Sequence, residues 1–206
     1  MKNCFFLIGF CILSFALKAQ INVSVGLKVG SSMSYMNSSY FKDYINTNST
    51  LTPLESALGG IVAEFKGEED LNAFQIELLH HRSGARVFEA NNDVNKIEIN
   101  HIQIPFIGKF RMNKYLYLNA GAYLGIIYNA TFYDGNNEKS ISKRLVDSDK
   151  GLILGIESHF DSGLFLDFRY NAGLTNLQLE DNSLTSSKKH FLFNRMVDLS
   201  IGYRFR

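Results

Sequence analysis

From Phe191 to Phe205 the chain alternates apolar and polar side chains almost without interruption. Phe191, Phe193, Val197, Leu199, Ile201, Tyr203 and Phe205 share one parity, with Arg195 the exception, and Asn194, Asp198, Ser200, Gly202 and Arg204 share the other. A two-residue period requires an extended strand, because only there do successive side chains point to opposite faces. Most soluble strands stop after about 5–6 residues. A longer one with a greasy face, a charged face and a terminal aromatic is expected to cross a bilayer as part of a closed barrel.

The N-terminal segment sets the expected compartment. Lys2 precedes an apolar run over residues 4–17, followed by Lys18-Ala19-Gln20. The run is short for a membrane span and suits the core of a signal peptide. Cleavage is expected after Ala19, giving a signal peptide of residues 1–19 and a barrel domain of residues 20–206. Leu17, three residues before that cut, is larger than the usual Ala. Two other readings are a lipoprotein signal with Cys11 lipidated, opposed by the bulky Phe10 where a small residue is needed, and an uncleaved helical anchor. The only cysteines, Cys4 and Cys11, fall inside this segment. The exported chain would therefore carry no thiol, which excludes a disulfide framework and a cysteine metal site. A formal charge of +1 provides no basic surface for nucleic acid. Mean hydropathy is −0.06, and no second apolar run approaches the roughly 20 residues of a helical span. If the mature chain sits in a membrane, it must do so as a barrel.

Parity reveals seven further alternating segments, at about 22–36, 56–65, 72–82, 96–112, 115–133, 151–160 and 163–174. The second is weak because it is rich in small residues. The phase of the fourth breaks near Asn100, which suggests a bulge. In the fifth, Leu116, Leu118, Ala120, Ala122, Leu124, Ile126, Tyr128 and Ala130 are placed on the apolar face, opposite Tyr117, Asn119, Gly121, Tyr123, Gly125 and Asn129. Tight turns are expected over 66–70, at Asn113-Lys114 and at Asp161-Ser162-Gly163. Long polar loops are expected over 37–53, 83–95, 134–149 and 176–189. This alternation of connections predicts an all-β protein: a single eight-stranded antiparallel transmembrane β-barrel with short periplasmic turns and long extracellular loops.

Eight strands also build soluble ligand-carrying barrels of the lipocalin kind, with the apolar face inward. Three features favour lipid outside. The polar face is rich in glycine and in charges of both signs, suiting a narrow lumen in which charges must pair. The apolar face holds few charges, Arg195 being the main one. Its aromatics, including Phe110, Tyr128, Phe132, Phe160, Tyr170, Tyr203 and Phe205, lie toward strand ends, where interfacial girdles form. The expected lumen network is structural and comprises Lys28, Glu77, Lys109, Glu157, Asp167, Arg169, Asp198 and Arg204.

Six passages, in order, resemble the PorT-type outer-membrane β-barrel family: GLKVGSSMSY (26–35), FQIELLHHRSG (74–84), HIQIPFIGKFR (101–111), NAGAYLG (119–125), GLFLDFRYNAGLTNL (163–177) and SIGYRF (200–205). Gln103 stands where that family usually has Glu, and Arg206 follows the terminal aromatic. The resemblance implies a small barrel of the Gram-negative outer membrane, inserted by the barrel-assembly machinery. Its members include components connected with secretion, so it implies little about activity.

Enzymatic chemistry is not expected. No serine sits in a recognisable nucleophile context, although His81, His101 and His159 could share the lumen with Glu77 and Glu157. No metal site is expected either, since His80 and His81 point to opposite faces and no strand carries paired i, i+2 histidines. No cofactor is implied. The expected partners are the lipid bilayer, the assembly machinery during biogenesis, and a protein met through the extracellular loops. A small-solute channel is the competing role.

Overall fold

The computed structural model describes residues 22–38, 50–67, 72–88, 94–134, 137–142, 146–177 and 192–205. The expected signal peptide lies outside the described residues, as do much of the loops over 37–53 and 176–189 and most of the turn over 66–70. Among the described residues there are nine strands: β1 Asn22–Ser38, β2 Thr50–Lys66, β3 Asn72–Phe88, β4 Val94–Arg111, β5 Leu116–Asp134, β6 Asn137–Ser140, β7 Ser148–His159, β8 Leu164–Gly173 and β9 Leu192–Phe205. Antiparallel pairing runs β1–β2–β3–β4–β5–β7–β8–β9 and returns to β1. The ring is thus an eight-stranded closed barrel, and β6 is a four-residue strand added to the upper end of β5. Closure leaves no edge within the belt, the condition lipid imposes on strands.

The apolar parity faces out. Val23, Val25, Leu27 and Val29 of β1, Leu152, Leu154 and Ile156 of β7, and Leu199 and Ile201 of β9 are all exposed, Leu199 by 61 %, whereas Lys28 is 1 % and Arg169 2 % exposed. That is the reverse of a water-soluble core, and it overturns the alternative of a barrel with its apolar face around a ligand. Phe110, Tyr128, Phe160, Tyr170, Tyr203 and Phe205 also face outward. Arg195, the charge on this face, donates to the Gly173 carbonyl at 2.7 Å.

The short turns close by local chemistry. The Asn113 side chain accepts the backbone N–H groups of Tyr115 and Leu116 at 2.8 and 2.9 Å, the local capture that suits Asn to turns. Gly163 takes a φ of +94°, accessible to glycine without the Cβ clash other residues meet.

Three expectations change. First, the strands at the loop end are longer than alternation indicated. β2 begins at Thr50, and β3 and β4 run to Phe88 and from Val94, so most of the loop expected over 83–95 is ladder. Secondly, the loop expected over 134–149 contains β6 and the start of β7. Thirdly, the bulge near Asn100 places its extra residue on the partner strand. Asn100 pairs with Asn129 and His101 with Ile127, leaving Tyr128 unmatched. One extra residue flips every side chain beyond it. Ala130 is consequently buried and Asn129 exposed, opposite to their expected sides, and Phe132 shares the inward parity of Ala130 rather than joining the girdle.

Candidate functional site in the barrel lumen

Inward-facing positions of all eight barrel strands meet on the axis, and the side chains they supply stack in layers. At the turn end, Lys109 of β4 donates to Glu64 at 2.5 Å, Glu157 at 2.6 Å and Gln75 at 3.1 Å. Arg204 of β9 donates to Glu157 at 2.5 Å and Gln75 at 2.8 Å and lies 3.2 Å from Glu64. His159 is hydrogen-bonded to Glu157. The Arg204 guanidinium stacks 4.0 Å from the centre of the Phe165 ring, which in turn lies across Gly202, where a Cβ would come within 2.1 Å of it.

The next layer centres on Arg169 of β8. Its two terminal nitrogens donate to the two carboxylate oxygens of Glu77, both at 2.8 Å, the parallel fork that makes Arg–carboxylate pairs strong. Asp167 lies 2.6 Å from Arg169 Nε and accepts from Lys28 at 2.6 Å. Lys28 also reaches Glu77 at 3.4 Å. Above this, Asp198 accepts from Asn171 at 2.6 Å and lies 3.2 Å from His81 Nε2. Asp149 accepts from Tyr123 at 2.9 Å and from Asn194 at 3.3 Å.

All eight residues singled out from the sequence are buried in the lumen. Seven fall into the first two layers; Asp198 sits above them. The period put Gln75 and Tyr123 on the polar face without assigning them to the network, and sequence reasoning passed over Glu64 and Asp149. Glu64 shares inward parity with Val62, but the small residues of β2 hid the period. Tyr123 and Asp149 sit beyond the charged region, and their pairing depends on the β5–β7 register.

One cluster has the makings of a metal site: ligand atoms of Glu64, Glu157 and His159 all lie within 4.8 Å of one another. The Lys109 ammonium occupies their centre, at 2.5 Å, 2.6 Å and 3.1 Å. A tethered cation thus does there what an ion would otherwise do. The loop end is closed differently, by an apolar cluster of Met36, Ala85, Ile99, Ala130, Leu177 and Leu192 with Ile97, Ile127, Ile141 and Val146 against it.

A closed antiparallel ring with lipid-compatible residues outside and paired charges inside defines an outer-membrane barrel. The comparisons with known proteins give the family: residues 15–178 match the outer membrane protein β-barrel domain, and the chain belongs to that family. Among solved structures, the Neisserial surface protein A is 14 % identical with a TM-score of 0.51, covering 89 % of this chain and 99 % of its own. Ail, the attachment invasion locus protein of Yersinia pestis, is 15 % identical with a TM-score of 0.48, covering 88 % and 98 %. These likenesses concern the fold. No curated protein matches the chain by sequence.

Proposed function

We propose that this protein is a closed, non-conducting outer-membrane barrel whose work is done by its extracellular end, as a structural or interaction protein that contacts neighbouring or host proteins or supports a secretion assembly. It is exported by a signal peptide cut after Ala19, inserted by the barrel-assembly machinery, and akin to the PorT-type barrels. The observation that carries this reading is the filled lumen. Two layers of paired charge and an apolar cap occupy the axis, and eight strands enclose only enough space for side chains. Among the described residues, the charged side chains that line the axis are engaged with one another, which supports a role carried by the outer end.

The test joins two measurements. The folded barrel in a planar bilayer is expected to give no discrete conductance steps. Replacing residues 39–49 and 178–191 by short Gly/Ser links is expected to leave heat-modifiable migration intact and to abolish capture of the envelope protein crosslinked to the full-length barrel in cells. Regular single-channel steps, or capture unaffected by loop replacement, would sink the reading.

A further inference from the structure

Arg195 breaks the apolar outward face of β9, and its height on the barrel gives the exception a meaning. A tilted strand crosses the hydrocarbon in about 9–11 residues, which is the interval from Phe205 up to Arg195 on β9 and from Phe160 up to Lys150 on β7. Both cations therefore stand where the headgroups of the loop-end leaflet begin. Register brings them to one stretch of rim. Arg195 is the partner of Ala172 on β8 and of Tyr35 on β1, and the other neighbour of Ala172 is Leu152, one outward position below Lys150. The Arg195 guanidinium donates to the Gly173 carbonyl at 2.7 Å, which holds it against the strand and leaves others of its five N–H donors for a ligand. Beside it the Tyr35 and Tyr170 side chains meet through a hydrogen bond, an aromatic ledge of the kind that favours a membrane–water interface.

The rim over β3 and β4 makes a useful contrast. It also carries cations at this height, Arg82 and Lys96, but Glu98 pairs with both, and Arg82 donates to Asn100 at 3.1 Å. Those charges are spent on the barrel itself. Among the described residues no carboxylate pairs with Arg195 or Lys150, neither Glu55 of β2 nor Asp147 just before β7. Below the two cations the outward face continues as Leu152, Leu154, Phe168 and Leu199, all exposed. Unneutralised cations at headgroup height above an apolar strip match the two ends of one amphiphile, phosphate above and acyl chains below. Interfacial lysine and arginine attract anionic lipid, and a guanidinium grips phosphate through parallel N–H donors. A lipid fits better than an acidic peptide, because the strip runs down into hydrocarbon, where acyl chains can follow and a peptide backbone cannot.

We propose that Arg195 and Lys150, with the Tyr35–Tyr170 ledge, bind the phosphate-bearing headgroup of a membrane lipid whose acyl chains lie along β7, β8 and β9. Assigning that lipid to the outer leaflet rests on the reading of the loop end as extracellular; the binding itself does not.

The experiment titrates the mature barrel, folded in a non-ionic detergent, with lipid A and reads occupancy by native mass spectrometry. Diphosphorylated lipid A is expected to bind at one equivalent, about tenfold or more tighter than its dephosphorylated form, and K150Q/R195Q should weaken it about 10–30-fold, the effect of two interfacial cations. R82Q/K96Q, on the other rim, should stay within about twofold of the parent at physiological salt, which screens charges so far apart. Should K150Q/R195Q not fold, K150Q alone should still weaken binding about fivefold. Equal affinity for the phosphorylated and dephosphorylated lipids, unchanged affinity in K150Q, or a larger loss in R82Q/K96Q would overturn the site. Orientation is checked separately by treating intact cells that carry S186C with a membrane-impermeant maleimide. Labelling of intact cells supports the outer-leaflet assignment, and labelling only after lysis would overturn that assignment whatever the titration gives.

Discussion

Within the lipid belt and above it the same barrel is built inside out and right way round. In the belt, Leu118, Ile126, Leu154 and Ile156 face outward while Lys109, Glu157 and Arg169 fill the interior. Toward the loop end, Met36, Ile99, Ala130 and Leu177 turn inward, and Asn129 is exposed on the outside. The barrel follows its solvent. Against hydrocarbon, apolar side chains lose nothing by facing out and polar ones must be satisfied within; against water the ordinary hydrophobic drive returns. On β5 the change of sense is made by one residue, Tyr128, whose bulge reverses the parity of everything after it.

The sharpest way to break this comparison is to unbalance the polar interior. Arg169→Met alone leaves Glu77 and Asp167 with Lys28 as their remaining cation in that layer, and breaking a buried pair in this way costs about 3–5 kcal/mol. Asp167→Asn with Arg169→Met leaves Lys28 and Glu77, already 3.4 Å apart, and is expected to recover much of the loss. The check is a urea titration followed by circular dichroism in lipid vesicles. Equal midpoints for the single and double variants would show that these charges are not energetically paired.

Next in size is a charge on the outside of the belt. Leu154→Arg is expected to cost about 2–4 kcal/mol, the penalty of a guanidinium near the bilayer midplane, whereas Asn129→Arg, above the belt, should stay within about 0.5 kcal/mol of the parent. Similar midpoints for the two variants would mean that the belt does not meet hydrocarbon at Leu154. The smallest effect concerns the cap. Ile99→Val should cost about 0.5–1.5 kcal/mol, as in any packed interior, and Ile102→Val, outward in lipid, distinctly less. If the outward change proves the more costly, the cap is not packed as a core.

Much of this organisation was legible because a membrane strand writes its environment into its period. β9, β7 and β8 were readable almost residue by residue, and with them the inward side of Asp167, Arg169, Asp198 and Arg204. Legibility failed wherever the period weakened. Small residues hid Glu64 on β2. The segment over 83–95 read as loop because its polarity resembles a loop when the strand rises out of lipid into water. The partnership of His81 with His101 across the β3–β4 ladder was also out of reach: both residues were seen to face inward, yet sequence spacing cannot say which residues of two neighbouring strands stand opposite one another.

The sequence by itself determined the eight-strand count of the barrel and, below the β5 bulge, which residues share a strand face, because a strict two-residue alternation needs an extended strand. Only the tertiary structure decided who pairs with whom: Arg169 with Glu77, Lys109 with Glu64 as well as Glu157, and His81 with Asp198. These contacts cross the lumen between strands far apart in the chain, so they follow from register and closure, which no local pattern encodes.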